Sequence, residues 1–148
     1  MYNEALSEQL AVVATIDPDA YGTGDQTTDI IDMKLHRRVL FIILGGTLGT
    51  VATLDFLVKG SASSNMASPS NLTGKAVTQL TEAGTDSDKQ ALVEVTAEEV
   101  AAQGFRYIQG TASLAAATSD YGLVAIADFS RYSTADENDL ASVDEIVT

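Results

Sequence analysis

Apolar positions along this chain follow two different rhythms, and the contrast is sharpest between residues 38 and 58. Residues 39–44 (VLFIIL) form an unbroken apolar run, the pattern of a strand buried on both faces. After Gly45-Gly46-Thr47-Leu48-Gly49, the residues Ala52, Leu54, Phe56 and Val58 alternate with Thr53, Asp55 and Leu57. That is the period of two of a strand with one face in the core. A helix here would hold three glycines in its interior, each unfavourable by roughly 1 kcal/mol relative to alanine. The stretch therefore predicts strand, turn, strand, as the central hairpin of a β-domain.

Shorter elements follow from the rest of the pattern. Residues 10–16 (LAVVATI) predict a strand, ended by a turn at Asp17-Pro18-Asp19. Residues 20–28 are small and polar, a loop, and 29–35 either lead into the central strand or pair separately. Residues 60–74, rich in Ser, Asn and Gly, are the clearest loop. A strand over 75–81, an acidic turn over 82–89 and a strand over 91–95 come next. Thr96-Ala97-Glu98-Glu99 fits a capping box, with Gly104 as the helix stop. Residues 105–114 predict a strand, 119–122 a turn and 123–129 another core strand.

From Ser130 onward the periodicity is lost. An extended arm or short helix that docks on another surface, such as a neighbouring subunit, competes there with plain terminal disorder. The sum is an all-β chain: a β-sandwich of jelly-roll or Greek-key type with one short helix and extended terminal arms. The division it suggests is an N-terminal arm and loop over 1–28, a sandwich domain over 29–132 and an acidic C-terminal arm over 133–148.

Charge narrows the function classes. The chain has 148 residues with a formal net charge of −13 and only eight Lys and Arg. Of these only Lys34, Arg37 and Arg38 lie together, beside His36, so nucleic acid is not an expected partner, because phosphate contacts need clustered cations. Residues 39–58 approach the length of a membrane span, but Asp55 and the glycines argue against one; an Asp in a lone span costs about 2.5–3.5 kcal/mol. The N-terminus, MYNEALSEQL, lacks the basic and apolar regions of a secretory signal. With no cysteine there is neither a disulfide nor a thiolate metal site, in keeping with a reducing compartment.

Candidate chemistry is sparse, and the expectation is that the protein is not an enzyme and holds no cofactor or metal. Gly45-Gly46-Thr47-Leu48-Gly49 has neither dinucleotide nor P-loop spacing, and no Lys follows it. His36 is the sole histidine and is expected at the surface or a strand edge. No Ser sits in a nucleophile elbow. Asp17, Asp19, Asp25 and Asp29 form one acidic cluster and Asp136, Glu137 and Asp139 another, neither with the EF-hand pattern. Asn71-Leu72-Thr73 matches a glycosylation sequon and, without a secretory signal, is read as chance. A sugar-binding sandwich would draw on Tyr2, Tyr21, Tyr107, Tyr121 and Tyr132, with no tryptophan available.

One family resemblance rests on short motifs: Gly46-Thr47-Leu48 closing the apolar strand, Arg106-Tyr107-Ile108 opening a later one, and Arg131-Tyr132 after the last. Over residues 29–132 the chain resembles small virion structural proteins encoded near the head genes of tailed bacteriophages. The resemblance implies a head decoration (cement) protein, binding the major capsid protein lattice as a homo-oligomer, commonly a trimer. It would be assembled in the host cytoplasm and located on the capsid surface of the virion. A head–tail connector, neck or tail component and a carbohydrate-binding module are the alternatives.

Overall fold

The computed structural model describes residues 5–128, 138–139 and 141–147. After a four-residue helix α1 (Leu6–Gln9), the strands are β1 (Leu10–Tyr21), β2 (Gly24–Thr27), β3 (Ile31–Asp32), β4 (Arg38–Gly45) and β5 (Thr53–Ser61). β6 (Ser70–Ala76), β7 (Leu80–Thr81) and β8 (Gln90–Thr96) follow, then helix α2 (Ala97–Ala102), β9 (Tyr107–Ala115) and β10 (Ser119–Asp128). They form a four-stranded sheet in the order β1-β10-β4-β8 and a six-stranded sheet with the path β2-β9-β5-β6, in which β3 pairs with β9 and β7 with β5.

Every pairing is antiparallel. Setting aside the two-residue β3 and β7, the strands close in nested order: β1 with β10, β2 with β9, β4 with β8, β5 with β6. A long hairpin rolled on itself in this way is a jelly roll, and the all-β sandwich expected from the pattern is the fold found. Among the described residues no helix is long and apolar enough to cross a membrane.

The expected central hairpin is not a hairpin. β4 pairs with β10 and β8, and β5 with β9, β6 and β7, so residues 46–52 carry the chain from one sheet to the other. The two strands face each other across the core. Phe41 of β4 and Phe56 of β5 meet with ring centroids 5.6 Å apart at 48°. Around them lie Val39 and Ile43, Leu54 and Val58, Ile108, Leu123 and Val95, all essentially without solvent contact. Each such side chain contributes roughly 1.5–3 kcal/mol by leaving water. The second half of the predicted pattern is met position for position, since Ala52, Leu54, Phe56 and Val58 are the buried ones.

Other elements depart from expectation for identifiable reasons. The strand expected over 10–16 forms as β1 but runs on to Tyr21, so that Asp17-Pro18-Asp19, expected to turn, lies within it at a register shift between Ile16 and Asp19, and the loop expected over 20–28 supplies β2. Pro18 is tolerated there because β1 is at the edge of its sheet and the chain bulges. Gly122 of β10 makes room for it: a Cβ at that position would stand 3.0 Å from Pro18 Cα. Residues 119–122, expected to turn, already belong to β10, and the turn falls just before them. Strand β5 runs on to Ser61 and β6 begins at Ser70, shortening the predicted loop at both ends.

Helix α2 forms where the capping box placed it. The Thr96 hydroxyl accepts from Glu99 N–H at 3.3 Å, and the Glu99 carboxylate accepts from Thr96 N–H at 2.9 Å. Its end is a Schellman turn, with Gly104 N–H donating to Ala101 O, Phe105 N–H to Val100 O, and Gly104 at φ +78°. The sandwich carries α1 as well as the one helix expected.

Candidate functional site

Strand alternation assigns each side chain of the four-stranded sheet to the core or to the outer face. In β4, Val39, Phe41 and Ile43 point inward and Leu40, Ile42 and Leu44 outward. The apolar run is therefore not buried on both faces, as its composition suggested. Register places Leu40 between Ile126 of β10 and Glu94 of β8, Ile42 between Val124 and Leu92, and Leu44 between Gly122 and Gln90. Val12 of β1 sits beside Ile126. The result is a contiguous apolar surface across all four strands. Leu44 and Leu92 are its most open members, 42% and 63% exposed.

Each end of this surface drops into a shallow depression bordered by carboxylates. One, of about 340 Å³, is lined by Leu10, Leu40, Ile126, Arg38, Glu94 and Asp128. There the Arg38 guanidinium is 3.2 Å from Asp128 and 3.9 Å from Glu94, and Arg38 N–H also donates to Asp128 Oδ1 at 2.8 Å. The other, of about 520 Å³, has Leu44, Pro18 and Gly122 among its walls and Asp19 and Asp120 at its border.

The edge of β1 away from β10 is occupied by the chain's own C-terminal segment. Val12 N–H donates to Asn138 Oδ1 at 2.9 Å, and Asp139 N–H donates to Val12 O at 2.7 Å. Thr15 and Ser142 join their hydroxyls at 2.9 Å. This part of the expected C-terminal arm thus docks on its own sandwich. Residues 129–137, which include Arg131-Tyr132 and Asp136 and Glu137, lie outside the described residues, as does Tyr2.

The residues singled out for chemistry are engaged structurally. His36, expected at the surface or a strand edge, makes an isolated bridge just before β4 and is 4% exposed, because the turn after β3 carries it and Met33 inward. The backbone of the Gly-rich loop is already bonded: Leu48 N–H to Ser87 Oγ, Gly49 N–H to Ser119 Oγ and Gly46 N–H to Asp120 O. Asp25 accepts from the Ser113 hydroxyl at 2.6 Å, and Asp19 from Ala20 N–H at 2.7 Å. Among the described residues no three His, Cys, Asp or Glu side chains gather as a metal site would require.

Perturbed groups lie away from the apolar surface or beneath it. The Arg106 guanidinium bonded to Asp32 holds that carboxyl below its ordinary value, with Lys34 adding to the effect. Lys75, 2.8 Å from Glu99, lowers that carboxyl in the same way, helped by the capping bonds from Thr96. Burial pushes the Tyr121 phenol up to about 12, with Tyr21 and Asp25 adding to it. The Tyr21 and Tyr121 rings pack 4.8 Å apart, Tyr21 donates its hydroxyl to Asp17 O, and Arg106 covers the Tyr107 ring. Of the tyrosines considered for sugar stacking, Tyr21, Tyr107 and Tyr121 thus already have partners.

No protein-family model matches this chain, and no curated protein matches it. Among solved structures it is similar to a chain of infectious bursal disease virus, Gx strain, at 10% identity and a TM-score of 0.45, over 84% of this chain and 34% of that one. A chain of the Gt strain of the same virus gives a TM-score of 0.37 at 11% identity, covering 84% of this chain and 32% of that one. This chain thus spans about a third of the length of those viral chains. It is also similar to TmCBM61, solved in complex with β-1,4-galactotriose, at 12% identity and a TM-score of 0.36, over 77% of this chain and 70% of that one.

Proposed function

We propose that this protein is a structural virion protein that decorates and stabilises the outside of a tailed-phage capsid by binding the major capsid protein lattice. The observation that supports it most is the apolar outer face of the four-stranded sheet. Those side chains lie on the opposite side of the sheet from the core, so their contribution comes when another surface covers them. Specific interfaces of standard size bury roughly 800 Å² per partner, about the scale of one sheet face. Repetition over a symmetric lattice multiplies contacts that are individually modest.

The particle itself comes from the sequence resemblance to small tailed-phage virion proteins, and the jelly roll is an architecture that capsid domains share with lectins and cupins. Within this reading the protein is a non-catalytic building element, a trimer on the capsid surface, with no nucleic acid or membrane among its partners. Gel densitometry of purified particles of the encoding virus tests it. Decoration predicts a copy number comparable to that of the coat protein. Six or twelve copies would assign the chain to the neck instead, and absence from particles would overturn the virion role.

A further inference from the structure

We infer that the outer face of the four-stranded sheet receives an apolar surface bordered by lysine or arginine side chains on a different protein, and not a second copy of this chain. The inference rests on the docking role proposed above and adds the chemistry of the occupant. Its apolar part is the ridge of Leu40, Ile42, Leu44, Leu92, Val124 and Ile126, aligned across the strands by register. Its polar part is the border. Among the described residues lining the two depressions, Asp19 and Asp120 stand at one end, and Glu94 and Asp128 at the other, against the single guanidinium of Arg38.

Arg38 is already committed to Asp128 and Glu94, so the border is acidic in excess. A second copy laid face to face would bring like borders together on two chains that each carry −13. Within a Debye length of about 8 Å at physiological salt, that repulsion opposes the apolar gain. A basic border on the partner turns the same carboxylates into attraction and fixes orientation, as complementary rims do in specific complexes.

Fluorescence anisotropy with a labelled Leu-Lys alternating heptapeptide, and its Leu-Glu counterpart, tests the chemistry on the full chain. The wild type should bind the Leu-Lys peptide in preference to the Leu-Glu peptide. Leu44→Ser with Leu92→Ser should weaken that binding by about tenfold, or about 1.4 kcal/mol. Glu94→Lys with Asp120→Lys should invert the preference. All four positions are exposed, and unchanged urea midpoints would show that the variants fold.

Equal binding of the two peptides, no binding of the Leu-Lys peptide, or no loss in the double serine variant would overturn the inference. So would a wild-type dimer in sedimentation equilibrium that the serine pair abolishes. Co-sedimentation with particles separates this inference from the virion reading. Particles that retain wild type and serine variant equally overturn the face and leave the virion role standing. Particles that retain neither, while the peptide binds as expected, overturn the virion role and leave the face.

Discussion

The two outer surfaces of the sandwich are built on the same alternation and end in opposite character. Outside the four-stranded sheet lie Val12, Leu40, Ile42, Leu44, Leu92, Val124 and Ile126. Outside the six-stranded sheet lie Asp55, Lys59, Gln109 and Ser113, with Leu57 an apolar exception. There side chains bond to one another: Gln79 donates to Asp55 at 2.7 Å and Ser113 to Asp25 at 2.6 Å. An antiparallel sheet needs one covered face, and the six-stranded sheet uses one. The four-stranded sheet has the composition of a sheet covered twice. Under the proposed function, that difference gives solubility to one surface and association to the other.

Breaking what both faces share should have the largest effect. Phe41→Ala or Phe56→Ala removes half of the ring contact that joins the sheets and should cost about 3–5 kcal/mol, read as a lowered urea midpoint. Thr96→Ala acts where the chain passes through α2 from the four-stranded to the six-stranded sheet. Loss of the N-cap should cost about 1 kcal/mol, visible in the same titration.

Two pH experiments probe groups on either side of the comparison. Tyr121 holds its proton up to about 12 in the fold, whereas the unfolded phenol releases it near its ordinary value of 10.0. Its contribution is complete below 10 and is lost as pH rises toward 12. Its hydroxyl has no hydrogen-bond partner among the described residues. Tyr121→Phe should therefore change stability little at neutral pH and flatten the alkaline loss. Asp32 has the opposite sign. Its carboxyl is lowered by Arg106, so its contribution is present above 3.8 and fades as pH falls below that value. The stability gap between wild type and Asp32→Asn should close on acidification.

The smallest effect on folding sharpens the comparison most. Leu92→Ser, on a side chain 63% exposed, should shift stability by no more than about 0.5 kcal/mol. It should nonetheless raise the ammonium sulfate concentration needed to precipitate the protein. Asp55→Val on the other sheet should lower that concentration. Equal shifts for the two variants would erase the distinction between the faces.

Much of the fold was legible because local chemistry and tertiary role agree. Ala52 to Val58 alternate and are buried on alternation, and Thr96, Glu99 and Gly104 cap the helix they predict. What was not legible depended on partners remote in sequence. Gly24–Thr27 is polar throughout and becomes a strand by pairing with β9. Asp17-Pro18-Asp19 reads as a turn, and only the edge position and the bare Cα of Gly122 let it continue β1. The candidate surface was hidden for a related reason. A run such as VLFIIL reports apolar positions on both sides of a strand, and register alone reveals that, among the described residues, one side has no sheet of its own opposite it.

Nested pairing also sets an order of events in time. β10, the last strand among the described residues, is the one that lies between β1 and β4, pairing with Leu10 at one end of its register and with Gly45 on its other side. Until it is synthesised, the first strand has no neighbour in its sheet and β4 has only β8. At about 5–20 residues per second a nascent chain waits seconds with those apolar edges open. Closure of the sandwich then waits on its last-made partner and is dominated by distant contacts, in the millisecond-to-second range of such topologies. A chain interrupted before Ser119 would be left with half a sheet and nothing to close it.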